Sequence, residues 1–435
     1  MSVEENLKIN QLDVTTAYLN GELQERIVME KPTNLEKYLC DIMIDENSNE
    51  DKTLYVKAQS MLEKLHRPGT EKICKLNKAL YGLKQAGREW YNKLDSTLQE
   101  IGFKSSEADP CIYIKKKDKE KIVIAIYVDD LIIAYSNQFE MDKIKGILMK
   151  RFQMRDLKNL NYCLGIKFEQ KGDEIKANQT RYIDSILKKF NMEDCKTAPT
   201  PIILGIKLQK VEKSNLPYQN LIGSLMYLAI ATRPDIMFAV CYMSQFNNNY
   251  NEEHWKHAKR ILRYLKGTKH LTLTFKKQKL PLQGYSDADW ASCQLDRKSF
   301  TGYCFIYGGA TISWETRKQR TVALSTAESE YMALTETAKE AMHLLHLSQD
   351  MLINQNKIEV WNDNQAAHCL AKNPIINRKS KHISIKEHFI RDTIKKGKIK
   401  LSYKRSEELE ADIFTKPLSA FKIQDVLPRL GLHQP

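Results

Sequence analysis

Ile124 to Ala134 reads IAIYVDDLIIA, and the fold turns on how its two aspartates are read. Aliphatic residues and a strand-forming tyrosine flank the pair, so the simplest structure is a β-hairpin whose tight turn carries Asp129 and Asp130. An unpaired buried carboxylate is costly, and two side by side also repel each other. Positive charge is therefore expected beside them, met by side chains that rigid strands hold in place. The competing reading is an exposed Asp-Asp turn between two strands.

The chain has 435 residues, enough for two or three domains, and 42% hydrophobic with 28% charged residues is a globular rather than a disordered composition. Its net charge of +14 points to a polyanionic partner, because basic side chains along a groove release counterions from phosphates. The plain alternative is a soluble basic protein. Nine cysteines without a CxxC pair imply a reduced, cytoplasmic chain. The start, MSVEENLKIN, lacks the apolar segment of a signal peptide, and LIGSLMYLAIA at 221–231 is too short to span a bilayer, so no membrane role is expected. His254/His257 and His343/His346 have no partners at zinc spacing and read as helix surface.

Three blocks follow from the breakers. Residues 1–195 mix strands and helices around the aspartate hairpin, with a charged, irregular surface insert at 33–71 that carries DENSNED. The proline-marked linker TAPTPIILG at 197–205 opens a mostly helical block, 196–278. Its NEEHWKHAKRILRYLKGTK has a basic face that suits a nucleic-acid backbone or, equally, solvent. The third block, 279–420, starts with strands hairpinned at YGGA and continues through a long helix opened by Ser-Thr-x-Glu; 421–435 reads as a tail.

A carboxylate pair on a hairpin is stable if it holds hard divalent cations, since Mg2+ takes one or two protein carboxylates and fills its remaining positions with water and substrate phosphate. Nucleotidyl transfer by two metals needs one more carboxylate, and NQLDVTTAYLNGEL offers Asp13. These blocks, with CKLNKALYGLKQAGREWYNKL and LGIKF in this order and spacing, resemble the reverse transcriptase of copia-type LTR retrotransposon Pol polyproteins. Downstream, GSLMYLAIATRPDI, YSDADWAS, LSTAESEYMAL, NDNQAA, SKHISIKEHFIRD and ADIFTKPL resemble the ribonuclease H that follows it. The resemblance spans nearly the whole chain. It implies an α+β palm of ferredoxin-like type, a helical thumb or connection, and an α/β ribonuclease H-like domain.

Carried over residue by residue, the resemblance makes Asp13, Asp129 and Asp130 the palm's metal-binding catalytic acids. Tyr18 stands where an aromatic packs under the sugar and excludes a 2′-hydroxyl, although core packing also fits it. Tyr81, Gly82 and Lys84 fall on the segment lining the nucleotide and template pocket, and Leu164 and Gly165 on the primer grip. In the nuclease block the implied acids are Asp287, Glu330, Asp363 on the strand-end loop, and Asp412 on the last helix. Glu328 rivals Glu330, and Asp289 is the weaker partner of SDAD. His382 and His388 match a recurrent pair that either assists product departure or caps a helix. Two Mg2+ or Mn2+ per site are implied, as are an RNA template, a DNA primer, dNTPs and an RNA–DNA hybrid. A second copy or a full-length Pol relative is a further candidate partner, and virus-like particles are an implied location.

Two departures qualify the match. The family places a fingers region before the first aspartate, whereas MSVEENLKINQL alone precedes Asp13, so triphosphate binding is expected to suffer. Gly87 also stands where proline or serine is common. Three readings result: a polymerase with ribonuclease H, a chain in which the nuclease alone survives, and a non-catalytic nucleic-acid-binding remnant.

Overall fold

The computed structural model describes residues 1–44, 52–68, 73–117, 120–372 and 384–434. Its first unit runs β1 (Lys8–Val14), a 3-10 turn (Ala17–Asn20), β2 (Glu22–Glu30), α1 (Leu35–Ile44), α2 (Lys52–His66), β3 (Ile73–Lys78) and α3 (Ala86–Glu100). It continues with β4 (Lys104–Ser105), β5 (Ile112–Lys117), β6 (Glu120–Tyr127), β7 (Asp130–Tyr135), α4 (Gln138–Arg151) and β8 (Met154–Asn159). The strands form an antiparallel sheet in the order β4-β5-β6-β7-β1-β8. Within it β1-α3-β6-β7-α4-β8 is the ferredoxin-like βαββαβ arrangement expected of a palm.

The core follows from periodicity. Trp90, Leu94 and Leu98 recur every four residues on α3, and Met141, Ile144 and Leu148 line one face of α4. Both stripes pack on Leu12, Ile122, Ile124, Leu131 and Ile133 of the sheet. The expected irregular insert at 33–71 is corrected in its described residues, which form α1 and α2. Leu39, Ala58, Leu62 and Leu65 make a small cluster of their own, and β2 pairs with β3 as a separate two-stranded ribbon. Ala58, Leu62 and Leu65 have helical spacing, a signal masked by the polar run beside them.

The second unit holds β9 (Tyr162–Cys163), β10 (Ile166–Lys171), β11 (Glu174–Asn178), α5 (Thr180–Lys189), α6 (Tyr218–Ala231), α7 (Met237–Ser244), α8 (Glu252–Gly267) and β12 (Thr272–Lys276). Strands β9, β10 and β11 join β12 and the chain's last strand in one sheet, so hydrogen-bonded pairs cross the division expected at 195. Sequence places these strands far apart, and only the fold shows that they pair. The basic face of α8 is also reassigned. Arg263 donates to Lys196 O at 2.7 Å, Lys266 to Cys195 O at 2.8 Å, and Arg260 to Thr200 Oγ1 at 2.9 Å. Two carbonyls and a hydroxyl of residues 195–200 thus take three of the cations that the sequence reading offered to phosphates.

The third unit comprises β13 (Gln283–Asp289), β14 (Phe300–Tyr307), β15 (Ala310–Lys318), α9 (Thr326–Asp350), β16 (Ile358–Asn362), α10 (Gln365–Lys372), α11 (Ser384–Lys395), β17 (Ile399–Tyr403), α12 (Ala420–Arg429) and β18 (Leu432–His433). Its sheet runs β15-β14-β13-β16-β17, antiparallel across β13-β14-β15 and parallel across β13-β16-β17, a ribonuclease H-like arrangement. One face packs on α9 through Tyr331, Leu334, Ala338 and Leu345. The other shares a core with α6, α7 and α8 through Tyr285, Phe300 and Cys304. Residues 421–435 are not a loose tail: α12 buries Ile423, Val426 and Leu427, and β18 pairs with β12.

Candidate active sites

The β6–β7 hairpin closes at the pair Tyr127 and Asp130, which leaves Val128 and Asp129 as its two-residue turn. Val128 sits at φ 56°, a left-handed conformation that β-branched residues avoid. Two hydrogen bonds pin it there. The Trp90 indole N–H donates to Val128 O at 2.6 Å, and the Val14 amide donates to Asp129 O at 2.8 Å. β1 runs antiparallel to β7 with Asp13 opposite Asp130, so the three aspartates gather at one end of the sheet.

These aspartates are half-buried, and exposed Tyr127 and Val128 open the turn to solvent. Burial pushes the Asp13 carboxyl up, helped by the charges of Asp129 and Asp130 and opposed by Arg155. Gln11 donates to Asp130 Oδ1 at 2.8 Å. Cys163 on β9 is buried against Asp130, and burial together with that carboxylate pushes its thiol up to about 12. The sequence reading missed both residues. Gln11 was findable, two residues before Asp13 on the same face of a strand; Cys163 belongs to another sheet.

Tyr18, on the 3-10 turn after β1, packs on Tyr81 with ring centroids 4.6 Å apart. Gly82 stands beside it at φ 99° with open space around its Cα, and Lys84 is exposed. A side chain at Gly87 would meet the Tyr18 hydroxyl at 4.0 Å, ordinary contact, so that position faces the same surface. Leu164 and Gly165 form the β9–β10 turn, both with positive φ. The Tyr227 hydroxyl of α6 donates to Leu164 O, and a Cβ on Gly165 would lie 2.7 Å from the Tyr227 hydroxyl oxygen. Helix α6 thus seats the turn that follows Cys163.

In the third unit Asp287 lies two residues before the end of β13, Glu330 lies in the first turns of α9, and Asp363 follows β16. One ligand oxygen from each lies within 4.8 Å of the others, the one group of acidic, His or Cys side chains this close among the described residues. Asn362 orients Glu330, donating to Oε2 at 2.9 Å and to Ser286 O at 3.0 Å. Glu328 is used otherwise: its Oε2 accepts the Leu324 amide at 2.8 Å, while Ser325 Oγ accepts the Glu328 amide. Two residues along a helix point roughly 200° apart, so the acid that caps α9 cannot also face the cluster.

Asp412 reaches the group from a 3-10 turn, Glu410–Phe414, and not from the last helix. The helical reading failed because the Thr-Lys-Pro that follows ends the turn at once. Thr415 donates to Asp287 Oδ2, and Lys416 Nζ lies 2.9 Å from Asp412 Oδ1 and 3.6 Å from Asp287 Oδ2. Burial pushes Glu330 well above the carboxylate range, with Asp287 and Asp363 adding to it. Asp363 rises for the same reasons, and Asp412 is pushed up to about 7 by burial and by Asp287 against the pull of Lys416. Burial alone would lower the Lys416 ammonium, but Asp287 and Asp412 raise it. Asp289 stands aside, hydrogen-bonded to Ser292. His382 and the His388 side chain lie outside the described residues.

The donor set is all oxygen and strongly acidic, which suits hard divalent cations such as Mg2+ or Mn2+ and not zinc. A ferredoxin-like palm with three aspartates at one hairpin, followed by a ribonuclease H-like sheet with clustered acids, is the domain arrangement of a reverse transcriptase joined to a ribonuclease H-like domain. Residues 44–204 match the family model described as reverse transcriptase (RNA-dependent DNA polymerase). The Retrovirus-related Pol polyprotein from transposon TNT 1-94 of Nicotiana tabacum is 37% identical over 98% of this chain, which covers 31% of that protein. The putative transposon Ty5-1 protein of Saccharomyces cerevisiae is 30% identical over 68% of this chain and is covered to 97%. Among solved structures, the ribonuclease H1 of Halobacterium salinarum aligns at a TM-score of 0.24 and 13% identity, over 30% of this chain and 91% of that one. The chain belongs to the copia-type retrotransposon Pol polyprotein family, and it spans about a third of the length of the full Pol polyprotein from tobacco.

Proposed function

We propose that this chain is a retrotransposon-derived RNA-directed DNA polymerase with a ribonuclease H that degrades the RNA of RNA–DNA hybrids. The observation that carries the nuclease half is the convergence of Asp287, Glu330 and Asp363 within 4.8 Å, with Asp412 and Lys416 alongside. Glu330, Asp363 and Asp412, whose carboxyls burial pushes up, are poised to exchange protons for cations. Two bound Mg2+ or Mn2+ would activate the attacking hydroxyl or water and stabilise the leaving oxygen. Asn362 and Thr415 fix the oxygens of Glu330 and Asp287, and Lys416 balances the charge of the group.

In the palm, Asp13, Asp129 and Asp130 would hold the corresponding cations. Tyr18, braced by Tyr81, would exclude a 2′-hydroxyl, and Gly82 would let backbone approach a base. Lys84 would meet template phosphate, and the turn at Leu164 and Gly165 would support the primer. A second reading, nuclease alone, is favoured by one contrast: the palm aspartates form no group as tight as the nuclease acids among the described residues.

One assay separates the readings: a labelled RNA template annealed to a DNA primer, incubated with Mg2+ or Mn2+ and dNTPs, with both strand lengths read on one gel. Primer growth that Asp130→Asn stops supports the full reading. RNA shortening alone, stopped by Asp363→Asn, supports the nuclease-only reading. Hybrid binding with a steep salt dependence and no turnover would overturn both and leave a binding remnant.

A further inference from the structure

Helix α9 begins at the nuclease acids and ends against the palm. Its last residue, Asp350, turns one carboxylate oxygen onto the loop between β4 and β5. Oδ2 accepts the Ser106 hydroxyl at 2.6 Å, the Glu107 amide at 3.0 Å and the Ala108 amide at 3.1 Å. Ser106 Oγ in turn accepts the Ala108 and Asp109 amides at 3.1 and 3.2 Å, so the loop is folded around the bond that holds it. Three charge-assisted donors on a single oxygen form a directional clasp, stronger and more specific than an exposed ion pair.

The clasp lies on a short rigid path to each site. On the palm side, the Cys111 amide donates to Asp109 Oδ1 at 2.9 Å, and the Ile126 amide donates to Cys111 O at 3.0 Å. Ile126 is three residues from Asp129, at the same end of the sheet. On the nuclease side, Glu330 and Asp350 belong to one uninterrupted helix, and twenty residues at 1.5 Å each make about 30 Å. Crossing from the loop to the hairpin adds about 10 to 15 Å at one strand spacing per 4.8 Å. The helix and the strand crossings thus account for about 45 Å of the path between the two acid groups, on the order of a dozen steps of straight duplex at roughly 3.4 Å per step.

We propose that Asp350 is a positioning residue that clasps the palm loop Ser106–Asp109 and so sets the distance between primer terminus and RNA cleavage on a single bound hybrid. The inference rests on the reading of the two sites given above. Without the clasp α9 still carries Glu330, but its far end loses the hydrogen bonds that orient it on the palm loop. Cleavage chemistry is then preserved while its register relative to the primer terminus is not.

The test uses the full chain and a long labelled RNA annealed to a DNA with a recessed 3′ end, in Mg2+ without dNTPs, with first-cleavage positions mapped at nucleotide resolution. The wild-type chain is expected to cut in one narrow window at a fixed spacing from the DNA 3′ end. Asp350→Ala should spread that window over several further positions while cutting a long hybrid without a nearby end at the wild-type rate. Asp350→Asn, which keeps an acceptor, and Ser106→Ala, which keeps the backbone amides, should each spread it less. An unchanged window in Asp350→Ala, or wild-type cleavage unrelated to the DNA end, overturns the proposal and leaves the nuclease reading standing. Absence of any hybrid cleavage in the wild-type chain overturns the nuclease reading and this inference with it.

Discussion

Two glutamates one turn-fragment apart, Glu328 and Glu330, show how residues of equal chemistry separate. Glu328 accepts an amide at the start of α9 and Glu330 faces Asp287 and Asp363. Glu330→Gln should therefore abolish hybrid cleavage, by about a hundredfold or more if it removes a charge-stabilising ligand. Glu328→Ala should cost about 1 kcal/mol of stability as a lost cap interaction and leave cleavage measurable; urea melts and the cleavage assay read the two effects. The raised carboxyls give a pH dependence with a definite sign. Because burial pushes Asp412 up to about 7, the ion-free folded chain holds a proton that the unfolded chain releases near pH 4, so this group costs stability as pH rises from about 4 to about 7. Divalent cations replace that proton. Mg2+ should raise the melting temperature more at about pH 8 than at about pH 5.5, and Asp412→Asn should flatten the difference, as calorimetry with and without EDTA would reveal.

At the scale of elements, turns and helix faces join the units. The turn at Leu164 and Gly165 seats on Tyr227, and a Cβ at Gly165 meets the Tyr227 oxygen at 2.7 Å in addition to its left-handed φ. Gly165→Ala is expected to cost about 1 to 3 kcal/mol, and less in a Tyr227→Phe background, since the phenylalanine lacks the clashing atom. A double-mutant cycle in denaturant measures the difference, and strictly additive costs would refute the contact. Helix α8 illustrates the opposite: Arg263 and Lys266, which look like a phosphate-binding stripe in sequence, bind the carbonyls of Lys196 and Cys195. Arg263→Ala should speed proteolytic cutting within residues 196–205 and leave the salt dependence of hybrid binding unchanged, because a side chain committed to the linker releases no counterions from a duplex.

Across the whole molecule, the units are tied by pairing between distant segments. The sheet of β9, β10, β11 and β12 is completed by β18, so the last residues act on strands more than 150 residues earlier. Removing residues 431–435 should expose the β12 edge, free the cover over Thr274, whose amide donates to Gly431 O at 2.8 Å, and lower the melting temperature by a few degrees. A truncated chain that melts with the intact one would show that β18 contributes nothing.

The sequence by itself determined the family and the local architecture. Unbroken apolar runs on both sides of Asp129 and Asp130 specify a hairpin, the four-residue stripes of α3 and α9 specify helices, and the order of the motif blocks identifies the family. What it left open were matters of distance. That Glu330 and not Glu328 joins Asp287, that Cys163 abuts Asp130, and that Asp350 grips Ser106 all depend on which surfaces of separate elements meet. Periodicity reports the neighbours of a residue along its own helix or strand, because those are fixed by backbone geometry. Contacts between elements are chosen by packing and by buried hydrogen bonding across long stretches of chain, and only the tertiary structure holds that information.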